Sequence, residues 1–265
     1  MTIQQIIDAA NSMINKEQAG YVLKPSRVTS IMNVLSNKYF TDEYAHLMDT
    51  IRSQGMKIEE LLRLDHPLNV FIKEEDISSD LVVGTDYVWG LACYSQVAKD
   101  GTIKPVELVD RKRFESVRTG LIRRNPSYNP YAVVYLDGSE FKVETLPSDI
   151  TSLKMWYIRK PSEPFYDYCI KTSSDNIIYM PVDSVIKSDG HLYDSSDNVL
   201  EQDVEHPTAT VFPYTSQTTE LEWNDNYHQK FVFGLVEWAA TNMRDVVPLQ
   251  VAGKENSDSS VTNTK

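Results

Sequence analysis

Cysteine is scarce: Cys93 and Cys169 are the only two in 265 residues. Neither stands in a CxxC or beside a histidine pair, which argues against a disulfide framework and a zinc site and fits a reducing folding compartment. Long apolar runs are lacking too, and nothing approaches the roughly 18 residues that a membrane-spanning helix needs. The opening MTIQQIIDAANSMINK has neither the basic start nor the long apolar core of a signal peptide. Positive charge is in deficit, with 26 Lys and Arg against 38 Asp and Glu, a net charge of -12 and a pI near 4.9. Tight wrapping of nucleic acid needs a basic face, so that class is disfavoured. GxGxxG, GxxxxGK[ST] and GxSxG are all absent, and with them the usual phosphate cradles and the nucleophile elbow. The histidines at 46, 66, 191, 206 and 228 never fall three to five apart, so no helical pair is spaced for a metal. The expectation is a protein that is not an enzyme and carries no catalytic residue, metal or cofactor.

What is present is an ordinary core-forming composition, 41% hydrophobic and 24% charged. Ile3, Ile6, Ile7, Ala10, Met13 and Ile14 recur at helical spacing after an N-cap candidate at Thr2, with Gly20 past the end. A second helix is expected from Pro25 or Ser26, with Val28, Ile31, Met32, Leu35 and Tyr39 inward. A third is expected from Thr41, with Tyr44, Leu47, Met48 and Ile51 inward, and a further turn or two between Lys57 and Leu64. Short loops would make these helices antiparallel neighbours.

From Pro67 to Pro213 short runs rich in Val, Ile, Tyr and Phe alternate with Gly, Pro, Asn and Asp, as in 68-LNVFI, 82-VVGTDYVWGLACYSQV and 177-IIYM. Six to eight strands are expected there. YAVVYL-DGS-EFKVETL is the clearest hairpin, since Asp-Gly permits the turn. Residues 110–122 read as either a short helix or a charged loop. Residues 224–246 return to helix, with Tyr227, Phe231, Leu235, Trp238 or Ala239, and Asn242 at helical spacing, Val232 and Val236 widening the stripe, and Pro248 as the stop. The polar remainder, LQVAGKENSDSSVTNTK, reads as an extended tail. The expected fold class is therefore α+β: an antiparallel helical bundle (1–66 and 214–247) with a large β-rich insertion (67–213) and a C-terminal tail (248–265).

Three features bear on contacts. Residues 110–124 hold Arg111, Lys112, Arg113, Arg118, Arg123 and Arg124 against Asp110 and Glu115, leaving four positive charges there and sixteen negative on the rest of the chain. Such a patch suits an acidic surface on a neighbouring copy, with Glu74, Glu75, Glu201, Asp203 and Glu205 as the counter-surface. Local ion pairs of little energy are the equal alternative. The spacing of Asp194, Asp197, Glu201 and Asp203 suggests a calcium loop but lacks its glycine and terminal glutamate, so a solvated acidic loop is preferred. In 153-LKMWYIRKPSEPFYDY a strand carrying Trp156 runs into Pro161 and Pro164, which cannot continue a central ladder. Phe165, Tyr166 and Tyr168 would then fold back, making a structural corner rather than a binding site.

Two stretches, RRNPSYNPYAVVYLDGSEFKVETLPSDITSLKMWYIRKPSEPFYDY (123–168) and ELEWNDNYHQKFVFGLVEWAATNMRDV (220–246), together resemble structural proteins of tailed bacteriophages. The closest type is the head-to-tail adaptor, or neck ring, protein of crAss-like podoviruses. The likeness spans about 70 residues, and the rest agrees only in layout. It implies a ring of twelve copies under the portal protein, made in the host cytoplasm and located at the virion neck, with other tail and ring proteins as neighbours. DNA would be only cargo passing through the ring. It also implies a C-terminal tail that threads against the portal or a neighbour. Here that tail would use Leu249, Gln250, Val251 and Lys254, whose apolar pair alternates as in an added strand. The β section exceeds a minimal adaptor and would form an outer collar. A carbohydrate- or peptide-binding β-module of a tail or a cell-surface receptor is the alternative.

Overall fold

The computed structural model describes residues 3–15, 25–54, 66–77, 81–96, 103–120, 130–150 and 152–243. The chain divides into two compact units, Met1–Tyr39 with Ser162–Lys265, and Phe40–Pro161. The composition shifts place boundaries at 66/67, 213/214 and 247/248, whereas the chain crosses between the units twice, after Tyr39 and after Pro161. One crossing lies inside a helix, α2 (Pro25–Gln54), and the other inside the Pro161-Ser-Glu-Pro164 run.

The expected bundle with a β insertion is not the architecture found. Four α-helices accompany fourteen strands among the described residues, and the strands occur in both units rather than in an insertion alone. Part of the reason is that α2 does not break at Thr41. Thirty residues run as one helix, so no short loop there returns an antiparallel neighbour.

In the unit 40–161, seven strands form one sheet in the order β1 (Ile72–Ile77), β7 (Leu153–Arg159), β3 (Tyr87–Gln96), β4 (Ile103–Leu108), β5 (Tyr131–Asp137), β6 (Glu140–Leu146), β2 (Val82–Val83). The sheet is nearly closed. Its edge strands approach where the Gly84 N–H just past β2 donates to Glu75 on β1 at 3.4 Å. Period-two alternation explains how it fills. Ala132 of β5 faces the interior with Met155, Tyr157 and Leu153 of β7, whereas Tyr131 and Val133 face outward and are covered by Phe114 and Val117 of α3 (Arg111–Arg118). The segment 110–122 thus contains a helix, capped by Asp110, whose carboxylate accepts from the Arg113 N–H at 2.8 Å. The β5–β6 hairpin forms as the sequence indicates, in register Tyr131 to Leu146, with Gly138 at φ 64° in the turn. The run 68-LNVFI is not a strand. Pro67–Phe71 forms a 3-10 turn, with Pro67 in its first turn and the His66 ring accepting from the Leu68 N–H, and β1 starts only at Ile72.

In the other unit, α1 (Ile3–Asn15), the N-terminal half of α2, and α4 (Asp225–Met243) pack with two small sheets. Ile3, Ile6, Ile7, Ala10 and Ile14 of α1 are buried, as their spacing requires. Gly234 of α4 admits α2, because a Cβ there would lie 2.7 Å from Leu35. Trp223, Tyr227 and Phe231 gather around Tyr39, and the Trp223 indole donates to Ser36 at 2.9 Å. One sheet has the order β12 (Val199–Glu201), β11 (Leu192–Tyr193), β10 (Val185–Ile186), β14 (Tyr214–Thr215), and the other β13 (Val204–Glu205), β8 (Tyr168–Lys171), β9 (Ile177–Tyr179). No helix among the described residues is long and apolar enough to cross a membrane.

Candidate functional site

The large sheet forks between β3 and β4. The two strands pair only from Cys93 with Val106 to Gln96 with Ile103. Beyond Val106, β4 leaves β3 and runs parallel to β5, with Glu107 opposite Tyr131 and Leu108 opposite Ala132. The N-terminal half of β3, Tyr87–Ala92, keeps its ladder to β7, interrupted by irregularities between Tyr87 and Trp89 and between Gly90 and Ala92. Its other edge has no ladder partner among the described residues. Bulges of this kind twist a strand away from its neighbour and occur beside functional sites.

A cleft of about 600 Å³ occupies the fork, lined by both strands and by Val109, Asp110 and Val134. This is a usual size for a binding cleft. Gly90 sits on its floor. A Cβ there would meet Leu108 at 2.7 Å, so only glycine lets Leu108 close over the strand. Trp89 is 45% exposed and Tyr94 37%. Trp156 of β7 stacks edge-on against Tyr94 at 5.4 Å and is covered by Lys154, which pairs with Glu74.

The polar groups around the cleft are engaged within the chain. Glu107 pairs with Arg113 at 2.6 Å. Asp110 caps α3. The Tyr87 hydroxyl accepts from the Gly90 N–H at 2.9 Å, and burial pushes its pKa up. Burial pushes the Cys93 thiol up to about 12, so it stays a neutral, unreactive thiol. The chemistry left on offer is aromatic surface and backbone.

The basic cluster behaves as local pairs. Arg111 binds Glu144 at 2.7 Å and Glu115 at 2.9 Å, and Arg118 binds Glu144 at 3.0 Å. Arg111, Arg113 and Arg118 thus pair with Glu107, Glu115 and Glu144, and Asp110 caps the helix, so most of the charge on this face is balanced locally. Any inter-subunit role would have to exchange these partners. Arg123 and Arg124 lie outside the described residues, as do Leu249, Gln250, Val251 and Lys254.

The proposed counter-surface is split between the units. Glu74 and Glu75 lie on β1, and Glu201, Asp203 and Glu205 on or beside β12 and β13. Glu75 accepts from the Tyr157 hydroxyl at 2.5 Å and lies 3.6 Å from Lys73, while Glu201 pairs with Lys171. In the acidic loop, Asp194 accepts from the Ser196 and Asn198 N–H groups, each at 2.8 Å, and Asp197 pairs with Lys187. Asp197 and Asp203 take left-handed turn positions at φ 69° and 53°, which short polar side chains tolerate. No group of three or more His, Cys, Asp or Glu among the described residues could hold a metal ion. At the corner, Pro164 is buried, Phe165 is 43% exposed and bridges Thr219, and Tyr168 begins β8. Pro161 is the last residue of its unit.

A second constellation went unnoticed in the sequence. Asp167, at 4% exposure, receives Nε2 of His206 at 2.8 Å, the Tyr214 hydroxyl at 2.8 Å, the Tyr168 N–H at 3.0 Å and the Gln217 N–H at 3.1 Å. Nδ1 of His206 accepts from the Ala209 N–H at 2.9 Å, which fixes the neutral Nε2–H tautomer. Burial alone would raise the Asp167 carboxyl, but the hydrogen bonds from His206, Gln217 and Tyr214 outweigh it and hold the carboxyl below its ordinary range. The group joins strand ends to loops. The signal for the fork was present as Trp89-Gly90 within a strand run, since an interior glycine marks a bulge or a close backbone approach.

No protein-family model matches the chain. No curated protein matches its sequence.

Proposed function

We propose that this chain is a non-enzymatic structural protein of a phage neck, assembling as a ring at the portal–tail junction through which DNA passes. The observation that carries the reading is the state of the cleft at the β3–β4 fork. Its ionisable groups are satisfied within the chain, while Trp89, Tyr94 and a strand edge face outward. That combination recognises another surface and offers no group poised for turnover. The two stretches that resemble neck proteins contribute β5, β6 and β7 of the forked sheet and α4 of the other unit.

The test is co-assembly with the portal protein. The full chain should join it as a ring, and a chain ending at Val247 should stay folded and fail to join. Normal joining by the shortened chain removes the tail from the account. A second reading, a glycan-binding module of a phage tail, is favoured by the exposure of Trp89 beside Glu107 and Asp110. Saturable binding on a glycan array, lost in Trp89→Ala, would select it instead.

A further inference from the structure

We infer that the exposed loop tip Val211–Phe212 of one copy inserts as an apolar knob into the β3–β4 cleft of a second copy. The inference rests on the ring reading above and names a contact between copies.

The knob is held out for contact. Val211 is 74% exposed and Phe212 39%, so neither side chain belongs to a core. Yet the loop that carries them is fastened on both sides. Before the tip, Nδ1 of His206 accepts from the Thr208 N–H at 3.2 Å and the Ala209 N–H at 2.9 Å. After it, Tyr214 pairs with Ile186 of β10, and its hydroxyl donates to Asp167, which also binds His206. The buried Asp167–His206 pair thus grips both stems, and Thr210–Pro213 stand out from a fixed base. Ordering such a loop costs nothing further when it binds, and anchored loops are where contact residues concentrate.

The cleft is the matching hole. Leu91, Leu108, Val109 and Val134 form its walls, and Trp89 and Tyr94 its rims. Leu108 closes over Gly90, and the Gly90 N–H is held by the Tyr87 hydroxyl, so the space of about 600 Å³ admits side chains and not a further strand. Both knob side chains fit within it. With Glu107 and Asp110 already bound, a charged group gains nothing there, and Phe212 against Trp89 or Tyr94 makes the kind of ring contact that anchors interfaces.

Charge favours a second copy as the occupant. Asp203 and Glu205, on the approach to the loop, are exposed and have no ion pair among the described residues. Lys112, two residues beyond the cleft-lining Asp110, is exposed and is the α3 cation that pairs with no carboxylate among the described residues. As the knob enters, these carboxylates approach that ammonium. Knob and hole lie on different elements of the chain, so the contact is heterologous, the type that closes rings.

The test mixes two full-length variants and reads their masses by native mass spectrometry, with and without portal protein. One carries Val211→Asp and Phe212→Asp and keeps the cleft. The other carries Trp89→Asp and keeps the knob. Each alone should fail to close a ring, and the mixture should give a one-to-one pair, because one knob and one hole survive between them. Phe212→Asp by itself should weaken association at least about tenfold, the loss expected for an aromatic anchor. Leu136→Asp, at an exposed apolar residue in neither surface, should leave assembly unchanged. Replacing Phe212 by p-benzoylphenylalanine in an otherwise unaltered chain keeps the test independent of how the Trp89 variant folds. Irradiated with isotope-labelled chain, it should join position 212 of one copy to residues 87–94 or 105–109 of the other. Rings that form normally from the knob variant, or adducts confined to other residues, overturn the inference and leave the ring reading standing. Adducts in the cleft from a chain that never closes keep the contact and remove the ring. A chain that neither associates nor crosslinks in either condition overturns both.

Discussion

In residues 40–161, strands of up to ten residues wrap around Met155, Tyr157 and Ala132, and a mainly apolar interior holds the sheet. In the other unit, β8 to β14 are two to four residues long, and their loops converge on one buried carboxylate, Asp167. Strands that short close few ladder bonds, although Cys169, Ile186, Leu192 and Val204 on them are buried in a small core. A charged centre accepting four hydrogen bonds supplies the missing order. The large sheet is held by one wide apolar interior, whereas the small sheets combine a compact apolar cluster of Cys169, Met180, Ile186, Leu192 and Val204 with the polar knot at Asp167.

The largest effect should come from that knot. Asp167→Ala leaves His206, Tyr214 and two backbone N–H groups without an acceptor and should cost about 3–5 kcal/mol in urea unfolding. A cost below about 1 kcal/mol would erase the contrast between the units. The pH dependence has a definite sign. The Asp167 carboxyl is lowered in the folded state, so its contribution is full above the unfolded value of about 3.9 and is lost as pH falls through the lower folded value. Acid titration of Asp167→Asn should accordingly show a shallower loss of stability below about pH 4 than the unaltered chain.

Tyr157→Phe probes the closure of the large sheet. It removes a hydroxyl 2.5 Å from Glu75 and 3.0 Å from Asp86, leaves the ring in the core, and should cost about 1–2 kcal/mol by the same unfolding measurement. Arg118→Gln breaks exposed pairs to Glu144 and Glu115 and should cost less than about 1 kcal/mol, and less still in high salt. A loss of several kcal/mol there would mean that the α3 arginines hold the fold rather than its surface.

Features written in local spacing were legible in the sequence. The α1 stripe, the inward residues of α4 and the Asp137-Gly138 hairpin depend on neighbours within a few positions. The unbroken α2 was missed because Thr41-Asp42-Glu43 reads as a cap, whereas Phe40 stacks on Tyr44 and packs on Phe71, and the helix runs on through it. Trp89-Gly90 marked an irregular strand, but where β4 leaves it was not legible, because that follows from the parallel pairing of Glu107 and Leu108 with β5. The Asp167 group joins residues 39 and 47 positions apart, beyond any motif spacing. The basic run was visible, but its balance was not, because Glu144 comes from a strand 33 residues beyond Arg111.

The most direct measurement of the central claim is the mass of the full-length chain, alone and mixed with portal protein, by native mass spectrometry. A closed ring of many copies in at least one of those conditions, lost in Trp89→Asp, is the predicted result. A monomer in both conditions would contradict the account.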